Sequence, residues 1–280
     1  MNSSVVRAAD RQHRAPRPES TRKISPVWRC LGIASNRQGG IRCKTMLRLA
    51  ALAISLVLTA SPALATPGRG DDADGATVES GSIDAALFYD RLDSGPAGGE
   101  DLLQIGITHG LSDRVRIGGQ ASFARQPGTS RKVETVGAEV LFALGKLGPI
   151  DSALYATYDI GIDAPDAVEA RFILEHDRGR MNLRFNLIAT RELASGESVE
   201  LGYAFSGDYQ VLPKWRLGLQ GFGEFGSFDR LLPHGGHALG PIIGYEIEPS
   251  INLRAGYLFT LGKARDDTKG QFRIGLEFGL

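Results

Sequence analysis

Cysteine is almost absent from this chain of 280 residues. Its two cysteines, Cys30 and Cys43, both precede the end of a stretch, 46–65, that has the features of a secretory signal peptide with a small-x-small cleavage site at 63–65. An exported chain without this stretch carries neither a disulfide nor a thiol. The scarcity of cysteine therefore excludes disulfide stapling and cysteine-based metal sites from the exported part.

Long apolar runs are also lacking. The stretch 46–65 has a basic start and an apolar core shorter than the roughly 20 residues that a membrane-spanning helix needs. Met46 stands at the right distance from that core, so we expect translation to start there. Residues 1–45, rich in Arg, Ser and Pro, are then a mis-called extension. The alternative is a start at Met1 with a long cytoplasmic region before the core.

An excess of charge of one sign is missing as well. The chain has 32 Lys and Arg residues against 32 Asp and Glu residues, a formal net charge of zero. This balance gives no reason to expect a nucleic acid as a partner.

The mature chain is predicted to begin near Thr66. Residues 66–79 carry Gly, Asp and Arg without periodicity, which predicts a flexible periplasmic leader.

From about residue 80 the chain becomes a long series of alternating segments, broken by Gly, Pro, Asp and Ser clusters. Most segments have about 10–12 residues, which suits a tilted transmembrane strand of roughly 9–11 residues. Their number is even, as in bacterial single-chain membrane barrels. The predicted strands are 80–91, 101–111, 115–124, 133–144, 152–162, 167–176, 181–191, 198–207, 214–226, 238–247, 251–261 and 271–280.

The connections between these strands alternate in length. With the N-terminus in the periplasm, the even-numbered connections are expected to be short periplasmic turns, and the odd-numbered ones longer outer loops. Two connections depart from this rule: 145–151 is long on the inner side, and 163–166 is short on the outer side. The outer loops are modest in length, so we expect no large folded lid.

Alternation alone does not tell which face is buried, because a soluble barrel or sandwich has the same period. Lysine placement favours a membrane barrel, since every lysine after the signal peptide lies in a turn or at a strand end. A charged interior favours arginine, whose planar fork pairs with carboxylates. We therefore predict an all-β fold, a transmembrane up-and-down antiparallel β-barrel of about 12 strands over residues 80–280. The lysines are Lys132, Lys146, Lys214, Lys263 and Lys269.

The polar face carries a charge in nearly every strand. We expect these residues to line the lumen, either as a charge-lined passage for a small-molecule solute or as paired charges that plug a narrow barrel. Near-equal numbers of opposite charges predict weak ion selectivity in an open passage. The predicted lumen-lining residues are Arg116, Glu139, Glu169, Arg171, Glu175, Arg184, Glu200, Arg216, Glu224, Glu246, Arg254, Arg273 and Glu277.

The last strand resembles the C-terminal assembly signal of bacterial outer-membrane barrels. The resemblance rests on Arg273, Gly275, Phe278 and Leu280 in an alternating strand that ends the chain. That signal usually ends on an aromatic residue, whereas this chain ends on leucine. The resemblance implies that the barrel-assembly machinery is a partner and that the outer face meets outer-membrane lipid.

A wider resemblance covers most of residues 80–280. Gly240-Pro241-x-x-Gly244-Tyr245 is followed by a proline turn, a Gly-Tyr strand and a closing Arg-x-Gly-x-x-Phe strand. This order resembles small proteobacterial outer-membrane barrels, in particular a group of transporters associated with the meta-pathway of phenol degradation. The resemblance implies a location in the bacterial outer membrane and a channel or uptake function. It supplies no catalytic residues.

Enzymatic chemistry is not expected. A barrel lipase needs a serine activated by histidine, yet Ser112, the nearest serine downstream of His109, lies in a turn. Neither His109 nor His176 stands in the His-x-Ser-Asn arrangement that barrel phospholipases and lipid A deacylases show. His234 and His237 have no third ligand nearby in sequence, so no metal or cofactor is expected. A lipid-modifying enzyme remains the alternative to a channel and to a structural barrel with a plugged lumen.

Overall fold

The computed structural model describes residues 72–228, 231 and 236–280. The predicted extension 1–45 and the predicted signal peptide 46–65 lie outside these residues. Within them no helix is long and apolar enough to cross a membrane. The elements are β1 (Ile83–Leu92), β2 (Asp101–Ser112), β3 (Val115–Arg125), β4 (Lys132–Leu147), β5 (Ile150–Gly161), β6 (Ala167–Arg178), β7 (Met181–Glu192), β8 (Glu200–Leu212), β9 (Trp215–Ser227), β10 (Gly236–Glu248), β11 (Ile251–Gly262), the one-turn helix α1 (Ala264–Asp267) and β12 (Gly270–Gly279).

The twelve strands form one closed barrel in which each strand pairs antiparallel with the next, and β12 pairs with β1. This confirms the predicted all-β, up-and-down antiparallel barrel. All twelve predicted strands are present, with bounds that differ by a few residues. The largest difference is β8, predicted at 198–207, which continues to Leu212 because a bulge near its end keeps it paired with β9.

The two ends of the barrel differ in their connections. Five connections of two residues each, 113–114, 148–149, 179–180, 213–214 and 249–250, meet at one end, which we call the short-turn end. The other connections are longer and meet at the long-loop end. The long inner connection predicted at 145–151 is wrong, because a bulge lets β4 continue to Leu147 and leaves a two-residue turn.

The outer face of the wall is apolar. Leu183 and Phe185 of β7 are 43% and 41% exposed, as expected for side chains that face a surrounding apolar phase. Alternate positions point inward, and there the charged Glu175 and Arg273 are only 4% and 7% exposed. A soluble sheet with an apolar interior would show the reverse distribution, so the structure rules out that alternative.

The seam between β1 and β12 closes the ring at the chain's C-terminus. The backbone N–H of Leu280 donates to the oxygen of Ile83 at 2.8 Å, so the terminal residue is paired, as predicted. Within the predicted assembly motif, Arg273 points inward, while Phe278 and Leu280 share the outer face. Gly275 leaves room for a lumen aromatic, because a Cβ at this position would lie 2.8 Å from Cε1 of Phe88.

Candidate functional site

The lumen wall carries the charged positions predicted from the sequence. By strand register each of them lies on the face opposite to the exposed apolar side chains. The set comprises Arg116, Glu139, Glu169, Arg171, Glu175, Arg184, Glu200, Arg216, Glu224, Glu246, Arg254, Arg273 and Glu277.

Many of these charges pair across neighbouring strands. Arg184 Nε donates to Glu175 Oε1 at 3.0 Å between β7 and β6. Arg273 donates to both carboxylate oxygens of Asp90, at 2.7 and 3.1 Å, across the seam. Two-pronged bonds of this kind are the strongest that arginine makes. Further cross-strand pairs are Arg116–Glu139, Arg216–Asp208 and Arg254–Glu277, while Arg171 pairs with Glu169 within β6.

Several inward aspartates were missed among the lumen residues. Asp90 binds Arg273, Asp208 accepts a hydrogen bond from Arg216, and Asp159 accepts one from the Gln120 amide at 3.0 Å. Their signal was present in the sequence, because each stands an even number of residues from another inward position of its strand. The strand period alone would have added them to the list.

Residues 72–79, which we call the lumen segment, lie inside the barrel. Ala73 is 2% exposed and packs in a cluster with Ile188 of β7, Phe222 of β9 and Leu258 of β11. Only a residue within the ring contacts inward side chains from strands that are separated in this way. The prediction of a flexible leader therefore does not hold for 72–79, because packing against the wall orders this part of it.

Two carboxylates anchor the lumen segment. Asp72 Oδ1 accepts a hydrogen bond from Gln220 Nε2 at 2.6 Å, and Asp72 Oδ2 lies 3.6 Å from Arg254 Nη1. Asp74 Oδ2 accepts one from Arg171 Nη1 at 3.1 Å. The segment therefore brings its negative charges to arginines that project from opposite parts of the wall.

The charge of Asp72 is stabilised in place. Burial raises the pKa of this carboxyl, but Arg254 and Arg273 lower it, and the resulting pKa lies below the ordinary value of 3.8. The attraction to the wall is therefore complete above that ordinary value. It is lost only as the pH falls through the lowered pKa, when the carboxylate is protonated.

Glu175 holds the backbone of the lumen segment. Its Oε2 accepts the N–H of Ala76 at 2.8 Å, and its Oε1 accepts Asn182 Nδ2 at 2.9 Å as well as Arg184. Gly75 permits this close approach, because a Cβ there would lie 3.1 Å from Glu175 Oε2. The same carboxylate therefore holds the segment against β6 and links it to β7.

Apolar patches on the inner wall receive the two alanines of the lumen segment. Around Ala76 a second cluster forms from inward residues of β4, β5 and β6, and Val78 packs against it. Burying these small side chains against apolar neighbours favours the inserted position of the segment. This face was predicted to be polar, so the apolar patches are a correction to that prediction. The wall residues of the second cluster are Leu141, Ala153, Tyr155 and Ile173.

Two cavities lie on either side of the level at which the lumen segment contacts the wall. One, of about 260 Å³, is at the short-turn end, and its lining includes Arg184, Arg216 and Arg254. The other, of about 220 Å³, is at the long-loop end beside α1. They share no lining residue. Asp72 and Arg273 line a void of about 10 Å³ at mid-depth, close to the space of one water molecule.

The cavity at the short-turn end is balanced in charge. Its basic and acidic lining residues are equal in number, which agrees with the expectation of weak ion selectivity. A cavity of this kind suits small polar solutes of either sign. The basic residues are Arg184, Lys214, Arg216 and Arg254, and the acidic ones are Asp177, Asp208, Glu246 and Glu277.

The described histidines have local partners. His109 Nδ1 donates to the backbone oxygen of Ser82 at 2.8 Å, and His176 Nδ1 donates to that of Pro149 at 2.9 Å. His237 Nδ1 lies 3.2 Å from Tyr203 Oη. His234 lies outside the described residues. Among the residues that the structure describes, no group of three or more His, Cys, Asp or Glu side chains could hold a metal ion.

Comparisons with known proteins identify the fold and no family. No protein-family model matches the chain, and no curated protein matches it significantly. Solved structures do: an outer-membrane channel from Pseudomonas putida F1 aligns with a TM-score of 0.56 and 11% identity, over 76% of this chain and 99% of that one. KdgM porin aligns with a TM-score of 0.52 and 8% identity over 70% and 99%. NanC porin has the same TM-score and 14% identity over 71% and 100%. The chain is thus similar in fold to outer-membrane barrels.

Proposed function

We propose that this protein is a passive channel of the bacterial outer membrane for small polar molecules, closed at mid-depth by the lumen segment. The observation that carries the proposal is a pair of cavities, of about 260 and 220 Å³, each large enough for several water molecules and separated by residues 72–76. The fold likeness to two porins and an outer-membrane channel supports a channel function and this location.

The lumen segment is suited to move because it is not part of the sheet. Each strand is bound along its length to two neighbours, whereas the segment is attached through a few side-chain contacts such as Glu175 to the N–H of Ala76. Its buried side chains near mid-depth are small, and water can replace its hydrogen bonds. Displacing the segment therefore costs far less free energy than opening the wall.

A structural barrel with a plugged lumen is the second candidate. It is favoured by the fit of Ala73 and Ala76 into apolar patches on the wall. The two candidates differ in one measurable property, since a channel shows discrete openings in a planar bilayer and a permanent plug shows none. The closed state is the same in both.

The proposed function also includes assembly by the barrel-assembly machinery and a non-enzymatic role, both predicted from the sequence. The paired and exposed C-terminal strand, with Phe278 and Leu280 on the outer face, supports recognition by the barrel-assembly machinery. The fold likeness to two porins supports a non-enzymatic role. A link to phenol degradation stays a prediction from the resemblance alone.

Neutralising the lumen segment tests the channel. In the double variant Asp72→Asn/Asp74→Asn, the charge-assisted contacts to Arg254 and Arg171 are weakened. Such contacts contribute about 1.5–3 kcal/mol each, so we expect the open fraction in planar bilayer recordings to rise tenfold or more.

The matched control is Asp113→Asn/Asp163→Asn, which removes the same charge from two exposed turn residues. It is expected to behave like the unchanged protein. Silence of all three proteins at every voltage would contradict the channel and favour the plugged structural barrel.

A further inference from the structure

A group of basic side chains lies at the long-loop end, outside the lumen. Asp101, the first residue of β2, is 0% exposed because two arginines cover it. Arg125 Nε donates to its Oδ2 at 2.7 Å, and Arg131 Nη2 donates to its Oδ1 at 2.5 Å. We call Tyr89, Arg91, Asp101, Arg125 and Arg131 the rim cluster.

The rim cluster is on the outer face of the wall. Asp101 has the same strand parity as Ile105 and Ile107, which are 42% and 54% exposed. Its register partners on the two neighbouring strands are Arg91 and Arg125, so the three form one outward row. The next row toward the middle of the wall consists of Tyr89, Leu103 and Phe123.

This order of rows fixes the depth of the charges in a membrane. An outward arginine costs about 2–4 kcal/mol at the middle of a bilayer and about 0–1 kcal/mol near the interface. Tyr89, whose aromatic ring carries a polar hydroxyl, favours the headgroup level. The arginine row therefore lies at headgroup depth, directly above the apolar belt.

The rim cluster keeps unused hydrogen-bond donors and a positive charge. It holds three arginines and one carboxylate, and the side chains of Arg125 and Arg131, which contact that carboxylate, remain 38% and 33% exposed. An arginine has five N–H donors, so bonds to Asp101 leave several directed outward. Arg131 also lies over the ring of Tyr89, at 5.8 Å from its centre, which limits its motion.

Two carboxylates near the rim cluster lie toward other parts of the molecule. Glu100 lines the cavity at the long-loop end of the lumen, on the other side of the wall. Asp93 accepts a hydrogen bond from Tyr257 Oη at 2.8 Å, on the side of β11. The net charge of the rim cluster is thus open to an anion that approaches from the membrane.

We infer that the rim cluster binds the phosphate of a phosphorylated lipid headgroup. Pre-oriented guanidinium groups bind phosphate through paired hydrogen bonds. The apolar row directly beneath them would contact the acyl chains of the same molecule, which favours a lipid over a free phosphate ion. The inference rests on the proposed membrane location and is independent of whether the lumen opens.

Native mass spectrometry of the detergent-purified mature protein tests this site. The probe is phosphatidic acid, and diacylglycerol with the same acyl chains is the ligand control. Arg125→Gln/Arg131→Gln is expected to bind phosphatidic acid about tenfold more weakly or worse. Arg178→Gln/Arg180→Gln, which removes two exposed arginines at the short-turn end, is the matched control and is expected to bind normally.

The double variant leaves Asp101 buried without its arginines, so a triple variant, Asp101→Asn/Arg125→Gln/Arg131→Gln, accompanies it. A triple variant that folds and loses the lipid supports the site. A triple variant that folds and binds the lipid as tightly as the unchanged protein overturns it. Equal retention of diacylglycerol, or displacement of the lipid by millimolar inorganic phosphate, also overturns a lipid-phosphate site. Bilayer conductance of the same variants is expected to be unchanged, which separates this result from the fate of the channel proposal.

Discussion

Deletion of residues 66–79 is expected to raise the single-channel conductance of the mature protein several-fold. The lumen segment occupies the barrel interior at the level of Ala73 and Phe222. The void beside it, lined by Asp72 and Arg273, has a volume of only about 10 Å³. Without it the cavities at the two ends, of about 260 and 220 Å³, would join into one water-filled passage. Planar bilayer recording of both proteins at the same voltage measures the change.

Deletion of residues 66–71 alone is the matched control, because it shortens the N-terminus and leaves the lumen segment in place. Its conductance is expected to equal that of the intact protein. If the longer deletion also left the conductance unchanged, a different part of the barrel would form the barrier.

Arg273→Met is expected to lower the free energy of unfolding by about 3–5 kcal/mol, the usual cost of removing one partner from a buried ion pair. The carboxylate of Asp90 would stay in the wall without its two-pronged partner, and the two side chains are only 3% and 7% exposed. Arg273 also lies over the ring of Phe222, at 5.6 Å, so packing is lost too. Urea unfolding in detergent measures the loss.

The double variant Asp90→Leu/Arg273→Met removes both charges and is expected to recover much of this loss, because neither partner of this pair is left buried alone. Lys146→Met serves as the exposed control. Lys146 is 69% exposed and pairs with Asp151, so about 0–1 kcal/mol is expected there. A double variant as unstable as Arg273→Met would mean that the buried charge is not the cause.

The wall of the barrel could be predicted from the sequence because its pattern is local. In β7 apolar and polar residues alternate from Met181 onward, so the period of two is visible within a few residues. The direction of the two faces followed from the choice of arginine over lysine. The short turns followed from residues such as Asp113 and Gly179 between alternating segments.

The lumen segment could not be predicted in the same way. Its residues are small or acidic and have no periodicity, and the contacts that hold them to the wall are distant in the chain. Asp72 meets Gln220 across 148 positions, and Ala76 meets Glu175 across 99. Such contacts exist only after distant strands have assembled into the wall, so composition alone favoured a flexible leader.

The apolar patches on the inner wall were missed for a related reason. Leu141 occupies an inward position two residues after Glu139, and Phe222 occupies one two residues after Gln220. Each looks like an isolated departure from a polar face when its strand is considered alone. Their meaning appears only when neighbouring strands align them into a surface that accepts Ala73 and Ala76.

The seam between β1 and β12 sets an order of events during biogenesis. Until β12 pairs with β1, the assembling sheet has two unsatisfied edges that could recruit foreign strands. The lumen segment is joined directly to β1 and therefore stands beside this gap while it is open. The segment can thus be enclosed before β12 pairs with β1. A chain that lacked β12 would leave the barrel unclosed and the lumen segment without its full enclosure.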